Sequence, residues 1–111
     1  MSAITTHILD TSRGKPAEGV SVIIYQQHRE WLEIGRGITN ADGRITDLLT
    51  KGTVLPTGMY KLRFETGAYF DQLETPTFYP FVEITFQVTT GEHYHVPLLL
   101  NPFGYSTYRG S

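Results

Sequence analysis

Three histidines, His7, His93 and His95, fall in strand-like runs of apolar and β-branched residues rather than in loops. His93 and His95 are two apart, so on a strand they project from one face, opposite Tyr94, Val96 and Leu98. His7 likewise shares a face with Thr5 and Leu9 and points away from Ile4 and Ile8. If the apolar faces fill a core, these imidazoles lie on the outer surface of a sheet. Imidazole titrates near neutrality, which suits proton transfer in water. Spacing alone leaves three readings open: solvated strand positions, an acid–base group, or a His-x-His pair that chelates zinc with one further histidine. His28, in the polar run 26–30, reads as solvated.

The second set is the end of the chain, YSTYRGS at 105–111. Chain ends usually fray. Here Tyr105 and Tyr108 around Ser106 and Thr107 predict an ordered strand, from which Arg109, Gly110 and Ser111 leave as a short hook. A guanidinium fork, a backbone free to turn, a hydroxyl and a terminal carboxylate make a corner able to bind an anion or an amide.

The elements that must position these groups read as short strands joined by turns. Alternation predicts strands at 4–9, 20–26, 31–39, 59–65, 82–88, 93–100 and 105–108, the cleanest being Tyr60, Leu62 and Phe64 against Lys61, Arg63 and Glu65. Residues 11–19, with Gly14, Pro16 and Gly19, read as a connection. Asn40, Ala41, Asp42 and Gly43 form a turn whose Asp-Gly pair supplies the positive φ of a tight reversal, and Arg44 follows at the mouth of a short strand. Residues 67–74 are the one plausible helix. About eight strands and a short helix predict an all-β two-sheet sandwich. Alternating helices and a glycine-rich phosphate loop are both missing, which argues against a nucleotide-binding α/β fold.

The 111 residues predict a single domain spanning 1–111, large enough to fold without staples. There is no cysteine, which excludes disulfides, thiolate nucleophiles and Cys-based metal centres. Nine basic and eleven acidic residues give a net charge of −2, with no basic block to grip a phosphate backbone, so no nucleic-acid partner is expected. No apolar run is long enough to span a membrane, and the start MSAITTHILD lacks the pattern of a secretory signal. A cytoplasmic enzyme is the expectation.

Three stretches carry a resemblance. ITTHILDTSRGKPAEGV resembles the N-terminal signature of the 5-hydroxyisourate hydrolases, TNADGRI resembles their arginine-bearing turn, and HYHVPLLLNPFGYSTYRGS resembles their C-terminal signature almost letter for letter. Occurring in order at the start, middle and end, they make the chain similar to that family over essentially its whole length. The resemblance implies a transthyretin-like β-sandwich, a homotetramer with active sites where subunits meet, and hydrolysis of 5-hydroxyisourate in urate degradation. It matches the family's catalytic residues to His7, Arg44 and His95, and its terminal substrate-binding tetrapeptide to Tyr108, Arg109, Gly110 and Ser111, with Ser111 also catalytic and His7 and Arg44 also touching substrate. It implies no cofactor and no metal.

On that reading His95 and His7 orient a water and take its proton, Arg44 holds a substrate oxygen, and Ser111 binds substrate and helps to relay the proton to the leaving nitrogen. No covalent intermediate is needed. The alternatives are a non-catalytic transthyretin-type ligand-binding tetramer, expected to have replaced these residues and lost the YRGS ending, and an Ig-like adhesion or carbohydrate-binding module, which gives no reason for them to occur together.

Overall fold

The computed structural model describes residues 3–111. In chain order the elements are β1 (Ile4–Asp10), β2 (Lys15–Pro16), β3 (Ser21–Gln27), β4 (Trp31–Ile38), β5 (Arg44–Ile45), β6 (Gly58–Phe64), α1 (Thr66–Gln72), β7 (Val82–Val88), β8 (Tyr94–Asn101) and β9 (Gly104–Thr107). One sheet runs β2-β1-β8-β9 with β5 also paired to β1, and the other runs β4-β3-β6-β7. The all-β two-sheet sandwich read from alternation is therefore the observed architecture. The connection at 11–19 holds an element that the reading missed. Lys15 and Pro16 pair with Asp10 and Leu9 as a two-residue strand, too short to carry an alternation signal.

Each sheet presents one apolar face to the other. Ile4, Ile8, Leu98 and Leu100 from the first pack against Val22, Ile24, Tyr60, Leu62 and Phe64 from the second, all at 2% exposure or less. Burying such side chains is worth about 1.5–3 kcal/mol each, which is why alternation decides which face turns inward. In β7 only Val82 and Val88 are fully buried, whereas Ile84 and Phe86 are half covered. The cause is position: β7 is an edge strand.

Helix α1 buries Tyr69 and Phe70, and the Tyr69 hydroxyl donates to Asp10 Oδ2 at 2.7 Å. Asp10 Oδ1 accepts the backbone N–H groups of Ser12 at 3.0 Å and Arg13 at 3.3 Å. A carboxylate with no exposed surface is thus satisfied on both oxygens, and it ties down the end of β1.

Two pairings place the outward residues of β1. β8 runs parallel to it, putting Thr5 opposite His95 and His7 opposite Pro97. β5 runs antiparallel on the other side, putting His7 opposite Arg44. The turn before β5 is held by Asn40 Oδ1, which accepts the N–H groups of Asp42 at 2.9 Å and Arg44 at 3.1 Å. Gly43 has φ +73°, and a Cβ there would lie 2.4 Å from the Ile8 carbonyl oxygen. Its own carbonyl accepts the Ile8 N–H at 2.8 Å. Gly43→Ala is expected to lose about 1–3 kcal/mol from the left-handed backbone alone, with the contact against Ile8 adding to it. Urea unfolding should show a lower midpoint at an unchanged slope.

Candidate active site

Residues opposite one another across a ladder share a face. The two pairings of β1 therefore gather Thr5, His7, Arg44 and His95 on the outer face of one sheet, although they are scattered through the sequence. Arg44, His95 and Ser111 line a shallow depression of 190 Å³ together with Thr5, His93 and Thr46. His7 stands beside the depression, two residues along β1 from Thr5, rather than in its wall.

The hook at the end of the chain is ordered. The Gly110 N–H donates to the His95 carbonyl at 2.8 Å, an isolated antiparallel bridge that brings Ser111 to the depression. A Cβ on Gly110 would lie 2.5 Å from His95 Cδ2, so the glycine lets the hook lie flat against the imidazole. Tyr108 and Arg109 do not line this depression. They line a separate groove of 270 Å³ at the open edge of the sandwich, with Ile84, Phe86 and Tyr94. The Arg109 guanidinium is paired with Glu92 and stacks 4.6 Å from the centre of the Tyr94 ring. The ring is itself anchored: its hydroxyl meets the Thr90 hydroxyl at 3.2 Å and accepts the Thr89 and Thr90 amides, contacts that draw its pKa down to about 8. Among the residues read from sequence, Arg44, His95 and Ser111 thus converge with His7 adjacent, while Arg109 is anchored on Glu92 and Tyr94 and Tyr108 lines the separate groove.

The charges are arranged to keep the imidazoles neutral. Burial lowers the pKa of His95 below the ordinary 6.5, and the nearby positive charge of Arg44 lowers it further. Burial followed by the charge of Arg44 also lowers that of His7, against a hydrogen bond to the Asp42 backbone that raises it. A neutral imidazole keeps the lone pair that general-base catalysis needs. Arg44 is exposed and opposite His7, a fixed positive charge where negative charge could develop. Among the described residues, no three His, Cys, Asp or Glu side chains are grouped as a metal ion would require.

Thr5 and Thr46 join the site without having been singled out for it, and His93, read as a candidate beside His95 but given no role by the family resemblance, joins it too. Alternation already put Thr5 on the face of His7, and His93 on that of His95. What the sequence could not supply was the register that brings the two strands side by side.

Comparison with known proteins identifies the family and the fold. A family model described as the HIUase/Transthyretin family matches residues 4–110. A protein of Schizosaccharomyces pombe named a probable 5-hydroxyisourate hydrolase is 46% identical, over 98% of this chain and 91% of its own. The solved structure of Klebsiella pneumoniae 5-hydroxyisourate hydrolase has a TM-score of 0.87 at 41% identity, covering 97% of this chain and 98% of that one. Sea bream transthyretin in complex with thyroxine has a TM-score of 0.91 at 32% identity, covering 98% and 95%. Fold alone therefore does not separate hydrolase from transthyretin, and the argument passes to the residues on the sheet face. The chain belongs to the HIUase/Transthyretin family.

Proposed function

We propose that this chain hydrolyses 5-hydroxyisourate, opening its ring to 2-oxo-4-hydroxy-4-carboxy-5-ureidoimidazoline. The observation that carries this reading is the convergence of His95, Arg44 and Ser111 on one depression, with His7 directly across from Arg44. Water adds to the ring carbonyl beside the hydroxylated carbon, and His95, assisted by His7, accepts its proton. Arg44 holds the substrate oxygen on which negative charge grows as the tetrahedral intermediate forms. Collapse breaks the bond from that carbon to the adjacent ring nitrogen, which takes up a proton as the carboxylate is released. Ser111 binds the substrate and relays that proton, on a hook positioned by Gly110 and anchored through Arg109 on Glu92 and Tyr94. The water attacks directly, so no covalent enzyme intermediate forms.

The depression lies open on a sheet face, whereas small-ligand sites typically bury most of their ligand. A second copy of the chain facing the sheet would supply the missing wall, in keeping with a homotetramer whose sites lie at subunit interfaces. Sedimentation velocity is expected to give a single species of four chains; a monomer would remove that wall from the reading.

The decisive assay follows the ultraviolet absorbance of freshly generated 5-hydroxyisourate. Decay well above the spontaneous rate is expected on adding the protein. Decay at the spontaneous rate would overturn the assignment and favour a ligand-binding protein on the same fold.

A further inference from the structure

The Thr5 hydroxyl stands between two imidazoles. Its Oγ1 lies 2.8 Å from His95 Nδ1 and 2.9 Å from His93 Nε2, and the threonine is 5% exposed. The two rings are near-parallel, with centroids 6.5 Å apart. A hydroxyl owns one proton and can accept at its lone pairs, so it can donate to only one of these two nitrogens. The other must bear its own hydrogen and donate to the oxygen. Two directed chains satisfy both contacts and use the hydroxyl's own hydrogen as well, and they differ in what they leave on His95.

If Thr5 donates to His95 Nδ1, the neutral ring carries its hydrogen on Nε2 and has no free lone pair for a water. If Thr5 donates to His93 Nε2, His95 donates from Nδ1 and Nε2 is left bare. Only the second direction survives the reaction unchanged. Once His95 has taken a proton on Nε2, its Nδ1 must carry a hydrogen, and a hydroxyl already donating onward to His93 receives it without turning. In the first direction the hydroxyl would have to swing away just as charge develops. His93 is exposed, so solvent can satisfy its remaining ring nitrogen in the form that this requires.

We infer that Thr5 and His93 are positioning residues that hold His95 in the Nδ1–H form, with Nε2 free to accept the proton of the attacking water. Neither residue touches reacting atoms in this scheme. Thr5 orients the imidazole, and His93 fixes the direction in which Thr5 donates. The role parallels that of the hydrogen-bonded partner behind a catalytic or metal-binding imidazole, whose loss gives the wrong tautomer. The inference rests on reading His95 as the water-activating base, but its structural half can be tested without turnover.

Nitrogen-15 spectra of histidine-labelled protein report directly which ring nitrogen is protonated. His95 is expected to show Nδ1 protonated in the wild type and to lose that preference in Thr5→Val. A wild-type His95 protonated on Nε2 overturns the inference even if the enzyme is fully active. In the kinetic arm, Thr5→Val is expected to lower kcat on the order of 10- to 100-fold with KM little changed, and Thr5→Ser to restore it. At position 93 the two substitutions should part company. His93→Gln keeps an acceptor for the Thr5 hydroxyl and should retain several-fold more kcat than His93→Lys, which offers only donors and should fall as Thr5→Val does. Equal behaviour of the Gln and Lys variants, or a Thr5→Val enzyme with wild-type kcat, overturns the inference. Because every variant is compared with the wild type, an inactive wild type would count against the hydrolase reading alone, leaving the spectra to decide the tautomer.

Discussion

His95→Asn is expected to lower kcat on the order of 10²–10⁴-fold, the range for loss of a positioned general base, with a smaller change in KM. Asparagine is close in size and can still hydrogen-bond to Thr5, so the loss isolates basicity from packing. The magnitude follows from how the ring is held. One ring nitrogen is tied to Thr5, the main-chain carbonyl is bridged by Gly110, and the side chain is half-buried in the wall of the depression. No second imidazole occupies the same place: His93 is on the far side of the Thr5 hydroxyl, and His7 stands outside the wall. Decay of 5-hydroxyisourate under saturating and limiting substrate separates the two constants. An Asn variant with wild-type kcat would make His7 the base and reduce His95 to a wall residue.

Arg44→Gln is expected to lower kcat/KM on the order of 10²–10³-fold, as for loss of one donor to a developing oxyanion. It should also move the pH profile, and the sign can be worked out. The base acts as the neutral imidazole, so activity rises with pH through the pKa of the free enzyme's base and then levels. In the wild type, burial and then the Arg44 charge hold that pKa below 6.5 for both His95 and His7, which puts the acid limb below 6.5. Without the guanidinium the imidazolium is less disfavoured, both pKa values rise, and the limb moves to higher pH. Burial is unchanged and remains the larger cause, so the upward move should be partial. Arg44→Lys separates the two roles, since a point charge keeps the limb near its wild-type position while the planar fork on the substrate oxygen is lost. If kcat/KM falls in the Gln variant but the limb stays in place, Arg44 acts on the substrate alone and does not tune the histidines.

Much of this molecule was legible along the chain. Strict alternation at 60–65, and the set Tyr94, Val96, Leu98 and Leu100, predicted which side chains turn inward, because in a strand the side-chain period is two whatever the strand pairs with. The same rule put Thr5 with His7, and His93 with His95, on faces pointing away from the core. The turn at 40–43 was equally plain, since a positive φ at Gly43 is a local demand met by a local residue. The half-covered middle of β7 and the two-residue β2 were not, because edge position and only two rungs of pairing leave no periodic trace.

The sequence by itself therefore determined the longer strands, most of their buried faces, the reversal before Arg44 and the types of residue available for proton transfer. Only the tertiary structure decided that β1 lies parallel to β8 with Thr5 beside His95, that β5 crosses back to set Arg44 against His7, and that the hook folds onto His95. The physical reason is the range of the interactions. Alternation and turn geometry are properties of a few neighbouring residues, whereas the register between strands some 90 positions apart is fixed by closing two apolar sheet faces on one another at once. A shift of one residue in that register would turn β1 over and carry Thr5 and His7 into the core, so the burial that makes the sandwich also assembles the site.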